Sequence, residues 1–103
     1  AFGVPDALPQ LPLSLTDRGS SIEISALLDT SASVNVLPHS IGVQLGAVWE
    51  EQTTSVTLAG NLASVEARGL LVAAQISDFA PVRLVFAWSL SDNAPLLLGR
   101  MTR

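Results

Sequence analysis

Cysteine is absent from this chain of 103 residues, and so is any long apolar run. The missing cysteine excludes disulfides and thiolate metal sites, and it leaves the cellular compartment open. No apolar run approaches the roughly 20 residues that a membrane-spanning helix needs, so we expect no membrane segment. The N-terminus shows no basic region before an apolar core, so no signal peptide is visible in the sequence.

Charge is also scarce. The chain has five basic residues of the Lys/Arg type and nine acidic ones, which gives a net charge of −4. The basic residues form no cluster, and this argues against nucleic acid or an anionic membrane as a partner. Because 49% of the residues are apolar and only 14% are charged, the composition indicates a packed domain. The length fits one domain over residues 1–103 with one modest core.

The residues of several common catalytic sites are missing. His39 is the only histidine, so acidic residues would have to supply the rest of any zinc site. The Gly-x-Ser-x-Gly pattern of serine hydrolases and the phosphate-binding glycine patterns are both absent. We therefore expect no metal and no cofactor. We expect His39 on a helix surface, and Trp49 and Trp88 as core or interface anchors.

Alternating apolar and polar residues predict an all-β domain with one short helix. Prolines mark residues 1–10 as an extended N-terminal arm. A helix is expected over residues 39–45, ending at Gly46. Short strands are expected over residues 11–15, 22–28, 34–37, 53–58, 62–65, 70–76, 82–88 and 96–98. The turn residues at 17–20 and at 59–61 predict hairpins on either side of them.

The most informative stretch is Ala-Leu-Leu-Asp-Thr-Ser-Ala-Ser-Val-Asn-Val-Leu-Pro at residues 26–38, where an apolar strand leads straight into Asp29. A carboxylate at this position needs hydrogen-bond donors or a chemical role. One interpretation is purely structural: Asp29 caps a helix or forms a turn. The alternative is catalysis, because two adjacent carboxyls that share one proton can act as both base and acid in peptide hydrolysis.

Only one acid has such a setting. The other aspartates, at positions 6, 17, 78 and 92, lie in arm or turn sequence. If Asp29 is catalytic, the second carboxyl must therefore come from another copy of the chain. A twofold symmetric dimer would place the two Asp29 side chains against each other across its axis.

Two motifs resemble those of retropepsins, the single-domain aspartic proteases. Asp29-Thr30-Ser31-Ala32 is similar to the Asp-Thr-Gly-Ala or Asp-Ser-Gly-Ala loop of that family, and the residues that follow it look like bacterial members. Leu96-Leu97-Leu98-Gly99-Arg100 resembles the family's later motif of an apolar strand, a glycine and an arginine. The resemblance implies an all-β, closed-barrel acid-protease fold with one short helix, assembled as a homodimer.

The resemblance also implies roles for individual residues. Asp29 would be the catalytic carboxylate, with Thr30 hydrogen-bonding across the dimer axis and Ser31 and Ala32 supporting the loop. Gly99 would let the last strand pass close to this loop, beside Arg100. A flap that closes over the substrate would contain Leu58, Ala59, Gly60 and Asn61, and glycine suits its tip because it tolerates positive φ.

Three departures from the family pattern stand out. Ser31 replaces the usual glycine and adds bulk near the path of the substrate backbone. Ser33 stands where many viral members have an acid that pairs with the later arginine, so Arg100 needs another partner. The sequence ends three residues after Arg100, where the family usually continues into a helix. This last difference predicts either a trimmed chain with weakened association or a dimer held in another way.

The resemblance favours an aspartic endopeptidase that acts on extended peptides with a water activated by two Asp29 carboxyls, at acidic to near-neutral pH. The competing hypothesis is a weak or inactive dimerisation or peptide-binding module with the same fold, which Ser31 and the short C-terminus support. A third possibility is that these residues form one domain of a longer protein.

Overall fold

The computed structural model describes residues 9–58, 65–92 and 95–99, and the fold is built from seven strands and two short helices within them. The strands are β1 (Gln10–Asp17), β2 (Ser20–Leu28), β3 (Asn35–Leu37), β4 (Ser55–Leu58), β5 (Val65–Gln75), β6 (Val82–Ser89) and β7 (Leu97–Leu98). Helix α1 is His39–Gln44, and one turn of 3₁₀ helix covers Trp49–Glu51. The predicted all-β class with one short α-helix is confirmed.

The strands close into a barrel. Hydrogen-bonded neighbours run in the order β1-β2-β7-β3-β6-β5-β4, and β1 also pairs with β5. This extra pairing joins six strands into a ring, and β4 pairs with the first residues of β5. Closure removes most of the open sheet edge that a domain of this size would otherwise expose.

The first hairpin follows directly from its turn chemistry. Arg18 and Gly19 both have positive φ, at 52° and 87°, which is the conformation of a two-residue type I′ turn. The turn fixes the register of β1 against β2, with Leu13 opposite Ile24 and Leu15 opposite Ile22. Leu13 and Leu15 are buried while their polar neighbours are not, so the predicted alternation is confirmed.

Strand β5 is longer than the sequence indicates. Two separate strands were expected over residues 62–65 and 70–76, but Val65–Gln75 is continuous. It pairs with β4 through its first half and with β6 through nearly its whole length. Gly69 does not interrupt it, because the Gly69 N–H donates to the carbonyl of Thr54 at 2.9 Å. The hairpin tip at residues 59–64 and the arm at residues 1–8 lie outside the described residues, and Gln10 begins β1 instead of ending the arm.

The core centres on β6. Trp88 and Phe86 are fully buried, with Leu15 and Leu37 packed in the same cluster. Helix α1 lies against Trp88 so closely that a Cβ at Gly42 would sit 2.2 Å from the indole ring. Trp88 is thus the predicted core anchor. No helix in the described ranges is long and apolar enough to cross a membrane.

His39 begins α1 and is half-buried, so it lies on the helix surface as expected, but its ring also packs against two indoles. Its ring stacks on Trp88, with centroids 5.5 Å apart and planes 11° from parallel, and it meets Trp49 edge-on. The indole N–H of Trp88 donates to the His39 carbonyl at 3.1 Å. The Nδ1 atom of His39 is buried and has no hydrogen-bond partner within the described part of the chain. The first turn of α1 packs over the two indole rings, so the His39 side chain contributes to the packing there.

Candidate active site

Strand β7 holds the Asp29 loop in place. It runs parallel to β2, with Leu27 opposite Leu97 and Leu28 opposite Leu98, and it touches β3 on its other side. The Asp29 N–H donates to the carbonyl of Leu98 at 3.0 Å, so the strand pairing continues onto the acid itself. The pairing of β2 with β7, two strands far apart in the sequence, therefore fixes the backbone position from which the loop starts.

A tight turn follows at once. The N–H of Ala32 donates to the Asp29 carbonyl at 3.0 Å, which closes a four-residue turn. This turn points Thr30 and Ser31 outward, and both are exposed, whereas Asp29 and Ala32 are half-buried. The carboxylate thus lies at the base of an exposed turn, where a second molecule could reach it.

Ser31 donates to the Asp29 carboxylate twice. Its backbone N–H lies 3.0 Å from Oδ1, and its hydroxyl lies 2.5 Å from the same oxygen. The Ser31 hydroxyl, with the Ser31 N–H second and the Ala32 N–H adding to them, holds the pKa of Asp29 below its ordinary value. Partial burial opposes these donors but does not outweigh them. Among the described residues, hydrogen bonds and not a cation stabilise the ionised carboxylate.

Gly99 packs against the other end of the loop. A Cβ at this position would lie 2.6 Å from the carbonyl oxygen of Val34 and 2.8 Å from that of Ala32. No real side chain tolerates contacts this short, so the chain can pass here only as glycine. This close approach brings the end of β7 against the segment that leads from the Asp29 loop into β3.

Asn35, which was not among the residues predicted for the site, completes this connection. It is only 4% exposed, its side-chain amide donates to the Val85 carbonyl at 3.1 Å, and its Oδ1 accepts the Gly99 N–H at 3.0 Å. One side chain thus links β6, the end of β7 and the start of β3. The available signal was an amide between two valines in an otherwise apolar strand, since a buried amide requires partners.

Of the remaining predicted site residues, only Leu58 lies within the described part of the chain. Leu58 is the last residue of β4. Ala59, Gly60, Asn61 and Arg100 lie outside the described residues, so their expected roles in a flap and beside the loop stay predictions. The described residues contain no group of three or more His, Cys, Asp or Glu side chains that could hold a metal ion.

A groove of about 450 Å³ begins beside the Asp29 loop. Ser33, Val34 and Asn35 line one side of it, Thr54 and Val56 of the β4 segment another, and β6 forms the floor. Val85, which projects from β6 into this groove, is 64% exposed. The groove therefore offers apolar surface between the residues that follow the Asp29 loop and the β4 segment that leads to the expected flap.

Comparison with known proteins supports the fold. A solved structure described as EIAV protease in complex with the inhibitor HBY-793 superimposes with a TM-score of 0.72 and 19% sequence identity. The match covers 93% of this chain and 85% of that one. No protein-family model matches the chain, and no curated protein sequence matches it either. The closed barrel, the position of the Asp29 loop and this superposition together show that the chain has a retropepsin-like fold.

Proposed function

We propose that this chain is an aspartic endopeptidase whose active site forms between two copies, each of which contributes Asp29. The observation that carries the proposal is the Asp29 loop itself. In a retropepsin-like fold, a half-buried carboxylate emerges from a paired strand, accepts backbone N–H donors and lies at the base of an exposed turn.

The chemistry requires two such carboxyls. With one proton shared between them, the ionised carboxylate removes a proton from water as the water attacks the peptide carbonyl carbon. The protonated carboxyl gives its proton to the carbonyl oxygen, which forms a tetrahedral gem-diol. The carboxyl that took the water proton then gives it to the amide nitrogen, while the other carboxylate removes a proton from a gem-diol hydroxyl. The C–N bond breaks, and the pair again holds one proton. The reaction consumes one water and needs no covalent intermediate.

The substrate that fits this site is an extended peptide. The groove beside the loop offers mainly apolar surface through Val34, Val56 and Val85, so apolar side chains should be preferred near the cleavage point. The hairpin beyond Leu58 would act as the flap, and Thr30, exposed at the turn, would contact its counterpart across the dimer axis. The sequence after the loop favours the bacterial type of this fold within the same proposal.

The test is cleavage of a peptide library by the wild-type chain and by Asp29→Asn. We expect the wild type to cleave and the variant to lose activity by several orders of magnitude, because the amide cannot act as a base. Asp78→Asn is the matched control, since Asp78 lies in an exposed turn between β5 and β6. Equal activity of wild type and Asp29→Asn would remove Asp29 from the mechanism.

The shared site predicts a dependence on concentration. Specific activity should fall with dilution as the dimer dissociates, and sedimentation velocity on the same samples should show the matching loss of dimer. A sample that is fully monomeric and fully active would contradict a site built from two copies.

The second candidate is a peptide-binding or dimerisation module without catalysis. The observation that favours it is the Ser31 hydroxyl, which stands where similar loops have glycine and donates to Asp29 Oδ1, one of the two oxygens available to activate water. A wild-type chain that binds library peptides but cleaves none of them from about pH 3, below the ordinary aspartate pKa of about 3.9, to about pH 8 would establish this alternative.

A further inference from the structure

We infer that Ser31 is a positioning residue for the proposed reaction: its hydroxyl holds one oxygen of the Asp29 carboxylate and thereby sets the pH range in which two such carboxyls can share a proton. The inference rests on the proposed function and deepens it. It concerns the residue at which this chain departs from the glycine of similar loops.

The geometry separates the hydroxyl from the backbone. Asp29 Oδ1 accepts the Ser31 N–H at 3.0 Å and the Ser31 hydroxyl at 2.5 Å. A glycine at position 31 would keep the first bond and lose the second. The hydroxyl distance is within the range of about 2.5–2.7 Å that is typical of O–H donors to carboxylates, the strong charge-assisted class. The serine therefore adds a second and shorter donor to an oxygen that already has one.

No charged group in the described chain competes with this hydrogen bond. The elements against Asp29 contribute main-chain atoms: Leu28 at the end of β2, Leu98 in β7, and Pro9, whose carbonyl accepts the Leu28 N–H. The influences on Asp29 are the donors of Ser31, the N–H of Ala32 and burial, with no contribution from a charged side chain. Arg100 lies outside the described residues. In the proposed dimer the second copy's Asp29 would be the facing charge.

The consequence for catalysis follows from the direction of donation. A hydroxyl that donates to Oδ1 stabilises the ionised carboxylate, and it must rotate or lose its bond when that oxygen is protonated. The pair needs one protonated carboxyl, so the hydroxyl moves both limbs of the activity profile toward lower pH. Two symmetry-related hydroxyls act in the dimer, one on each carboxylate.

The experiment combines two readouts on the same variants. The first is the pH dependence of kcat/KM for wild type, Ser31→Gly, Ser31→Ala and Ser31→Thr. The second is an NMR titration of the Asp29 side-chain carboxyl carbon, which requires no activity. Ser25→Ala serves as the control, because Ser25 is an exposed residue of β2 outside the site. Asp92 supplies an internal reference, since it also accepts hydrogen bonds from a serine, Ser40.

We expect Ser31→Gly and Ser31→Ala to raise the pH at which Asp29 titrates and to move both limbs of the profile upward with it. Ser31→Thr should restore the wild-type values because it restores the hydroxyl, and Asp92 should titrate unchanged in every variant. An Asp29 titration that is the same with and without the hydroxyl would overturn the inference. So would a threonine variant that behaves like alanine.

The outcomes also separate this inference from the proposed function. A wild-type chain that cleaves nothing at any pH removes the endopeptidase, yet the NMR titration still decides whether the hydroxyl controls Asp29. A wild-type chain that cleaves, with profiles that do not move among the variants, keeps the endopeptidase and removes the role of Ser31.

Discussion

Gly99 offers the sharpest test of how the candidate site is built, through the substitution Gly99→Ala. The added methyl group would lie 2.6 Å and 2.8 Å from two main-chain carbonyl oxygens of the Asp29 loop segment, those of Val34 and Ala32. Backbone atoms cannot swing away as the end of a flexible side chain can. Either the loop or the strand end must therefore move, and both belong to the site.

The magnitude follows from two terms. Overpacking in a well-packed region costs about 1–3 kcal/mol. Moving Gly99 away also weakens the buried hydrogen bond from its N–H to Asn35 Oδ1, which is 3.0 Å long, and an unsatisfied buried group costs about 1–3 kcal/mol. Alanine also lowers the conformational entropy of the unfolded chain relative to glycine, and this offsets about 0.4–1 kcal/mol of the lost stability. We expect a net loss of about 2–4 kcal/mol, or a fall in Tm of roughly 10–25 °C.

The assay is thermal and urea unfolding followed by circular dichroism, with all samples at one protein concentration so that association does not confuse the comparison. Gly69→Ala is the matched control. A Cβ at Gly69 would meet the nearest atoms of Thr54 at 3.5 Å and 3.6 Å, which are ordinary contacts. This control should be unchanged or more stable by up to about 1 kcal/mol. If Gly99→Ala were as stable as the control, the close approach behind the loop would be wrong.

Two further substitutions test hydrogen bonds elsewhere in the fold, one behind the Asp29 loop and one at helix α1. Asn35→Ala should destabilise the chain by about 2–4 kcal/mol in urea unfolding, because it leaves the Val85 carbonyl and the Gly99 N–H without this buried partner; a loss below about 0.5 kcal/mol, the usual effect of a surface change, would contradict this. The Ser40 N–H, with its hydroxyl second, lowers the pKa of Asp92, so this carboxylate stabilises the fold above the unfolded-state pKa and stops doing so as the pH falls through the folded-state value. Asp92→Asn should therefore lower Tm at neutral pH by an amount that shrinks in that acidic range, and a difference independent of pH would refute the linkage.

The local features of the fold could be predicted from the sequence because short-range physics determines them. Residues 17–20 have the turn chemistry that fixes the first hairpin, and alternation gives the faces of β1. Gly46 marks the end of α1, and its φ of 86° confirms the reason for choosing glycine there. In each case the deciding interactions lie within a few residues along the chain.

Other features depend on pairing between distant segments. Strand β5 remains continuous because β4 and β6 both satisfy its backbone, which the run of mixed residues before Leu70 does not indicate. His39 is drawn into an aromatic cluster because Trp88, 49 residues later, supplies the donor for its carbonyl. Composition and periodicity carry no information about such partners, so the sequence predicted neither the continuous strand nor the aromatic cluster.

The candidate site combines the two kinds of information. Asp29 could be identified because its local sequence is unusual and because the later Leu-Leu-Leu-Gly motif resembles a known pattern. Asn35 could not be assigned a role, because its partners are 50 and 64 residues away. The described chain gives a complete support for one carboxylate and only one such carboxylate, and acid–base hydrolysis with a shared proton needs two. In the proposed endopeptidase the chemistry would therefore belong to a pair of chains, and the Ser31 hydroxyl would act on the carboxylate of its own chain.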